Sequence, residues 1–212
     1  MIVKMMPTAL EANEHHRAAP GVDIEHLLEV SADRFAELGF DGMSMREISR
    51  ECGFPAASIY HHFASKSELY REAYSHKVEQ TIDLMNTRLD GVGDAKRRFV
   101  AMVEAFHELF TGDRTLLLLM QRDVIDASVA RRQFLSRHQY DHFTSLIRRT
   151  ASEMTGAVVS WETAFTIGSL IFGYCELSMV VHEIYDRRGP EVLHAERERL
   201  VRATLALLGA SS

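Results

Sequence analysis

Several side chains of this 212-residue chain have the chemistry of nucleophiles, acids, bases or metal ligands, but their spacing matches no recurrent catalytic motif. His182-Glu183 begins like the His-Glu-x-x-His motif of zinc proteases, yet Asp186 stands where the second histidine is required. The nucleophile-elbow, phosphate-loop and dinucleotide-binding patterns do not occur either. We therefore predict that the protein is not an enzyme and uses no cofactor, and an enzyme built on a helical bundle is the weakest alternative.

Metal and thiol chemistry are also weakly supported by the sequence. His138, with Asp141 and His142, places two imidazoles on one helix face, which permits metal sensing, but flanking polar residues favour a solvated face. Cys52 and Cys175 lie far apart, each in an apolar context typical of inert thiols in a cytoplasmic protein. We predict no metal site and no disulfide framework.

The segment from residue 52 to residue 67 carries hydroxyl, imidazole and ammonium groups and no acidic residue, although the whole chain has a net charge of -6. Hydroxyl and ammonium groups bind phosphate oxygens. Because the net charge disfavours polyanion binding over the whole surface, contact with nucleic acid must come from a local patch such as this one. The neighbouring helices are acidic, so a module that docks another protein is the alternative, and steep salt dependence would exclude it.

Three short helices are predicted to position this segment. An amphipathic helix runs over 24–38 and ends at Gly39, a residue suited to a left-handed cap. Ser44 and Glu47 form a capping box that starts a second helix, and a third covers 56–63. Two short helices joined by a glycine-bearing turn make a helix-turn-helix, whose second helix can enter the major groove of DNA.

The rest of the chain is predicted to be helical as well. A second capping box, Ser65 to Glu68, starts a fourth helix that reaches about Leu89. Helical periodicity continues over 95–110, 114–126, 131–154, 160–185 and 191–208, and no alternating strand pattern occurs. The prediction is an all-α fold of about nine helices. Its parts are a flexible arm (1–22), a helix-turn-helix DNA-binding domain (23–70) and a helical effector-binding and dimerisation domain (71–212).

The sequence from Gly39 to Leu69 closely resembles the head of TetR-family regulators, including a Tyr-x-x-Phe-x-x-Lys pattern that ends at Lys66. The resemblance covers about residues 24 to 75, and the remainder is similar only in the number, lengths and order of helices. It implies a cytoplasmic transcriptional regulator, usually a repressor, that binds a palindromic operator as a homodimer. A small, largely apolar effector would release it from double-stranded DNA.

The resemblance also implies roles for individual residues of the head. Arg46 matches a position that reaches a base, where an arginine can make a bidentate contact to guanine. The positions that match phosphate or base-edge contacts are Ser44, Ser58, Tyr60, His62 and Lys66, with His61 facing the same groove. Pro55, Ala56 and Ala57 depart from the family, which often has polar residues there, so fewer side chains can hydrogen-bond bases.

Large apolar side chains recur at helical spacing in the body and suggest a cavity for an apolar effector, although ordinary core packing explains each of them singly. The predicted lining is Met85, Phe99, Met102, Phe106, Phe143 and Phe172. Glu176 is a lone carboxylate in an apolar helix, so it either meets a basic partner or fixes a polar group of the ligand.

Residues 163–181 are apolar on nearly every face and are about as long as a membrane-spanning helix. The segment contains Glu176 and small polar residues, and the chain has no second segment like it. We therefore predict no membrane contact and a helix buried in a soluble oligomer. With the last helix it would form a dimer interface through Phe165, Gly168, Ser169, Leu193, Leu200 and Thr204.

Overall fold

The computed structural model describes residues 23–126, 129–186 and 189–210, without the side chains of residues 126–140. Over these residues the chain is entirely helical and contains no strand, which confirms the predicted fold class. The nine helices are α1 (Ile24–Leu38), α2 (Met45–Cys52), α3 (Ala56–His62), α4 (Lys66–Leu89), α5 (Ala95–Gly112), α6 (Thr115–Asp126), α7 (Val129–Thr155), α8 (Trp161–Tyr185) and α9 (Pro190–Leu207). The predicted arm, residues 1–22, lies outside the described part.

The chain divides into two compact units between Ala73 and Tyr74, within α4. We call the first unit the head and the second the body.

Local capping interactions set the helix ends of the head. The Asp23 side chain accepts a hydrogen bond of 3.1 Å from the His26 backbone N–H at the start of α1. Both halves of the predicted capping box are present at Ser44, where α2 begins. Gly53 ends α2 with a φ of 71°, a left-handed conformation that side chains other than glycine adopt at a cost.

An apolar core holds α1, α2 and α3 together. Phe35 is fully buried, and its ring meets the edge of Tyr70 at a centroid distance of 4.9 Å. Tyr70 in turn meets Phe40 edge-on at 5.4 Å. The other large side chains of this core are Leu27, Ile48, Ile59, Phe63 and Leu69. Each fully buried apolar side chain contributes about 1.5–3 kcal/mol, so this small unit has a core of its own.

The body is built around α5, which packs against α7, α8 and α9, while α8 also packs against α7 and α9. The fully buried side chains where these helices meet include Phe99, Met102, Val103, Ala151, Ile167 and Leu200. Ser160 caps α8 by accepting a hydrogen bond from the Thr163 backbone N–H, and Pro190 occupies the first turn of α9, where its missing N–H leaves no bond unmade.

Candidate nucleic-acid interface and ligand cavity

The helix-turn-helix exposes polar side chains on two helices that pack against each other, α2 and α3. Arg46 on α2 is exposed, as are Tyr60 and His61 on α3. Tyr60 is 52% exposed, which is unusual for an aromatic residue between two buried core residues of the same segment, Ile59 and Phe63. Its phenol therefore stands on the surface of the head, where it is available to a partner.

Ser44 caps α2 through both its side chain and its backbone. Its hydroxyl oxygen accepts from the Glu47 backbone N–H at 3.3 Å, and its own backbone N–H donates to Glu47 Oε2 at 2.7 Å. Hydrogen bonds from Ser44 hold the pKa of the Glu47 carboxyl below its ordinary value. The Ser44 hydroxyl is exposed, but the Glu47 carboxylate competes for its single donor hydrogen.

Arg46 has a neighbour that sequence reasoning missed. Arg50 lies four residues further along α2, also exposed, and the i, i+4 spacing places both guanidinium groups on one side of the helix. Within the described residues of the head, neither arginine forms an ion pair. By contrast, Arg34 is held by Glu37 and Glu51. The two arginines of α2 are thus the cationic groups of this helix left for an anionic partner.

The Lys66 side chain makes contacts inside the head that the sequence did not predict. Its Nζ donates to the carbonyl oxygens of Phe40 at 2.8 Å and Met43 at 3.0 Å, and lies 4.2 Å from the centroid of the Phe40 ring. The ammonium therefore joins the start of α4 to the turn between α1 and α2. Lys66 therefore positions the helix-turn-helix, and the phosphate contact that the resemblance implies for it stays a prediction.

The other two predicted contacts on α3 are less accessible. Ser58 and His62 are both half-buried. The two acidic side chains of α2 are already engaged, since Glu51 binds Arg34 and Glu47 belongs to the capping box. The exposed surface of this helix-turn-helix is therefore less acidic than the sequence around it suggests.

The body contains an apolar cavity of about 150 Å³. Three predicted lining residues, Phe106, Phe143 and Phe172, do line it. The rings of Phe106 and Phe143 meet edge-on at 5.5 Å. The remaining walls are Phe110, Met120, Thr144, Ile147, Phe165, Gly168, Ser169 and Ile171. Thr144 and Ser169 are the hydroxyl-bearing side chains of this lining, so the cavity offers a ligand few polar contacts.

Four predicted ligand residues do not belong to this lining. Met85, Phe99 and Met102 are fully buried among other core side chains, so they pack the interior. Glu176 is half-buried and does not face the cavity either. Because its carboxylate is not fully removed from solvent, it requires neither a basic partner nor a ligand.

The apolar face of α8 is only partly covered within the chain. Of the predicted interface residues, Phe165 and Ser169 are exposed and Gly168 and Leu193 are half-buried, the glycine lying against Ile147. Leu200 and Thr204 are a correction, because both are buried in the core of this chain. Sequence reasoning missed four exposed apolar side chains of α8 that lie at the spacing of one helix face: Leu177, Val180, Val181 and Ile184.

Among the described residues, α8 is long and apolar enough to cross a membrane by length and composition alone, and 33% of its most apolar stretch is buried within the chain. The core helix of a soluble protein can have the same length and composition. The helix was predicted to be buried, but within one copy of the chain it is only partly so.

The structure describes both thiols and two of the three side chains of the predicted histidine-bearing face. Cys52 and Cys175 are buried and unpaired, and burial raises the pKa of the first to about 11 and of the second to about 12. Both are inert thiols at neutral pH. Asp141 and His142 are exposed, as a solvated helix face requires, while the His138 side chain lies outside the described residues.

Comparison with known proteins places the head in a family. Residues 27–73 match the family model of the bacterial regulatory proteins, tetR family. A stretch of 92 residues is 27% identical to the HTH-type transcriptional regulator UidR of Escherichia coli K12; it covers 43% of this chain and 46% of that protein, so less than half of the relative is matched.

Two solved structures share the fold over most of the chain. The fatty acid degradation regulator FadR of Bacillus halodurans superposes with a TM-score of 0.69 at 15% identity and covers 90% of this chain and 97% of its own. FadR of Bacillus subtilis, in complex with stearoyl-CoA, gives a TM-score of 0.59 at 16% identity, with coverage of 87% and 95%. The solved structures show that the fold is shared over most of the chain, and the family model shows that the N-terminal helix-turn-helix, residues 27–73, is that of the tetR family of bacterial regulatory proteins.

Proposed function

We propose that this protein is a DNA-binding transcriptional repressor whose operator affinity is lowered by a small apolar effector bound in the body. The proposal depends on one observation: some polar side chains of the helix-turn-helix are bound within the head, and others are exposed to a partner. Lys66 and Glu47 are engaged in internal hydrogen bonds, whereas Arg46, Tyr60 and His61 stand exposed on the two helices. An arginine with a free guanidinium is suited to a bidentate contact with guanine.

DNA binding is tested with the purified full-length protein and labelled DNA from upstream of its own gene, by fluorescence anisotropy at several salt concentrations. Arg46→Ala should weaken site-selective binding by about 1–3 kcal/mol, or roughly 5- to 150-fold. Tyr60→Phe removes only the hydroxyl and should weaken binding less. Arg202→Ala, an exposed arginine of α9, is the matched control for the loss of one charge and should bind like the parent.

The alternative is a helical module whose head docks another protein. It predicts no preference for any genomic fragment over random DNA and little dependence on salt, whereas phosphate contacts make affinity fall steeply as salt rises. An enzymatic role gains no support from the relatives, which are named as regulators.

The effector is proposed to occupy the cavity around Phe106, Phe143 and Phe172. A dry cavity of about 150 Å³ in another protein holds a benzene-sized molecule, and sites for drug-sized ligands run from about 300 Å³ upward. The cavity as it stands therefore fits one ring or a short alkyl group. A long acyl chain, of the kind bound by the Bacillus subtilis relative, fits only if the surrounding helices move apart.

A ligand screen separates these two effector sizes. Small aromatic compounds and long-chain acyl-CoA thioesters are added to the protein–DNA complex, and release of DNA is followed by anisotropy. Ser169→Trp fills the edge of the cavity from an exposed position and should abolish release by an effector that binds there. Thr166→Trp, also exposed on α8 but not part of the lining, should leave release unchanged. Equal release from both variants places the effector elsewhere.

We also propose that two copies pair through the exposed apolar face of α8. Leu177 and Ile184 are 66% and 67% exposed and lie two helical turns apart on this face. A twofold pair would present two heads to successive major grooves of a palindromic site. Light scattering after size exclusion tests this pairing: Ile184→Asp should shift the dimer toward monomer, whereas Glu198→Gln on the surface of α9 should not.

A further inference from the structure

Three ionisable side chains meet in the core of the body, where α5, α8 and α9 pack together. They are His107, His182 and Glu196, with side chains only 2%, 7% and 9% exposed. His182 Nε2 lies 3.0 Å from Glu196 Oε1, whereas His107 Nε2 lies 3.8 Å from the other carboxylate oxygen, Oε2. The carboxylate of α9 is thus hydrogen-bonded to α8 and only faces α5.

The contact between Glu196 and α5 contains no hydrogen bond. A separation of 3.8 Å is too long for one, and among the described residues neither His107 Nε2 nor Glu196 Oε2 has another hydrogen-bond partner. Both atoms are buried and have given up hydrogen bonds to water, which costs free energy that the docked state does not recover. The cluster is therefore a weak point in the packing of α9.

Glu196 is also the anchor of the first half of α9. Of residues 190–199, all of which the structure describes, it alone is buried. The second half of the helix is held by three buried side chains that carry no charge, which are Leu200, Thr204 and Leu205. The docking of the first half therefore depends on a buried carboxylate and its two imidazoles, whereas the docking of the second half depends on burial of uncharged groups.

Other ionisable groups surround the cluster on the same three helices. They are Glu104 and Glu108 on α5, Tyr174 and Cys175 on α8, and Arg197 and Arg199 on α9. A hydrogen bond from Arg88 holds the pKa of Glu108 below its ordinary value, and burial raises the pKa of Cys175 to about 12. Burial also raises the pKa of Tyr174. These three groups keep their charge between about pH 5 and 7, the range in which an ordinary imidazole takes up a proton.

Proton uptake by His107 is linked to the position of α9. Burial lowers the pKa of the His107 ring, and the attraction of Glu196 offsets this only in part. When α9 leaves, the ring reaches water and its pKa returns toward the ordinary value of about 6.5. The detached state then binds the proton more readily than the docked state, so docking is favoured at neutral pH and weakens as the pH falls below about 6.5.

We propose that His107, His182 and Glu196 form an acid-sensitive latch in the core of the body. Proton uptake by His107 releases the first half of α9 from α5 and α8, while the second half stays docked through its buried uncharged side chains. Loss of the proton restores the contact. The proposal depends neither on DNA binding nor on an effector.

The test is hydrogen exchange with mass spectrometry on the full-length protein from about pH 5 to 8, with each rate corrected for the intrinsic effect of pH on exchange. Opening of residues 194–199 should increase by up to about tenfold per pH unit below 6.5, which is the effect of one proton. Opening of residues 200–207 should not show this dependence. His107→Gln removes the titrating ring and should abolish the increase. His194→Gln removes an exposed imidazole from the same half of α9 and is the matched control, which should keep the increase.

Three results would overturn the latch. No increase below pH 6.5 means that the cluster does not couple to α9, and an equal increase in both halves of α9 means that the body unfolds as a whole. Loss of the increase in His194→Gln assigns it to the exposed ring. Should His107→Gln fail to fold, imidazole ¹⁵N spectra of the unmodified protein decide the question. The His107 ring must be neutral at pH 7 and take up its proton over the interval in which exchange increases, and a ring already protonated at pH 7 contradicts the proposal.

Discussion

Replacing Lys66 with methionine removes the ammonium group and keeps a side chain of similar length. The substitution eliminates two hydrogen bonds, of 2.8 and 3.0 Å, to the carbonyls of Phe40 and Met43, and the contact with the Phe40 ring. Hydrogen bonds to charged groups contribute about 1.5–3 kcal/mol each and a cation–π contact about 0.5–1 kcal/mol, so about 7 kcal/mol is the upper bound. Water can reach the freed carbonyls of this surface turn, which reduces the expected loss to about 2–4 kcal/mol.

Such a loss is a large part of the 5–15 kcal/mol by which domains are usually stable. The loss of stability in the head can be measured by hydrogen exchange with mass spectrometry. Tryptophan fluorescence would not detect it, because the single tryptophan of the chain, Trp161, lies in the body. Amides of α1 to α3 should exchange about 30- to 1,000-fold faster in Lys66→Met, at tenfold per 1.4 kcal/mol, and amides of the body should be unchanged. Lys96→Met, exposed on α5, is the control and should leave the head unchanged.

The competing explanation, a direct phosphate contact by the Lys66 side chain, makes opposite predictions. It leaves exchange in the head unaltered and reduces the slope of log affinity against log salt by about 0.9, the contribution of one phosphate. Our reasoning expects that slope to be unchanged at temperatures where the variant head stays folded. Unaltered exchange together with a smaller slope would refute the internal role of Lys66.

Three further perturbations follow from the structure. In Gly42→Ala the new Cβ would lie 2.1 Å from the Leu38 carbonyl oxygen, so denaturant unfolding of the head should show a loss of about 1–3 kcal/mol, whereas Gly93→Ala, which meets nothing within 4 Å, should be neutral. Ser160→Ala removes the α8 cap and should lower the stability of the body by about 0.5–2 kcal/mol, read from tryptophan fluorescence; no change would mean that the cap is dispensable. Burial lowers the pKa of His107, so the unfolded chain binds its proton first: stability should fall as pH drops below about 6.5, and a melting temperature that rises on acidification would contradict this.

The helix boundaries were predictable from the sequence because local interactions set them. The capping box at Ser44 and the left-handed Gly53 lie within a few residues of the ends they determine. The predicted helix over 160–185 is observed as Trp161–Tyr185, since the Ser160 hydroxyl that caps it is adjacent in sequence. The helix-turn-helix follows from such signals alone.

The roles of individual side chains were less predictable because they depend on residues distant in the chain. The partners of Lys66 are carbonyl groups more than twenty residues earlier, and backbone carbonyls carry no signature in a sequence. Periodicity identified Phe99 and Phe106 as inward-facing on α5, but only the packing of neighbouring helices determines that Phe106 meets the cavity and Phe99 does not. Arg50, by contrast, was detectable from its i, i+4 spacing to Arg46.

The error about the dimer surface has the same origin and bears on where the proposed second copy would pack. The apolar stripe of α9, with Leu200 and Thr204, is covered by α5 and α8 of its own chain, so it needs no outside partner. An amphipathic helix has one apolar face to bury against a neighbour, whereas a helix that is apolar on nearly every face has two. One face of α8 packs against α5, α7 and α9, whereas Leu177 and Ile184, on another face, stay exposed among the described residues. A second copy of α8 would supply it, because a twofold axis sets identical apolar faces against each other.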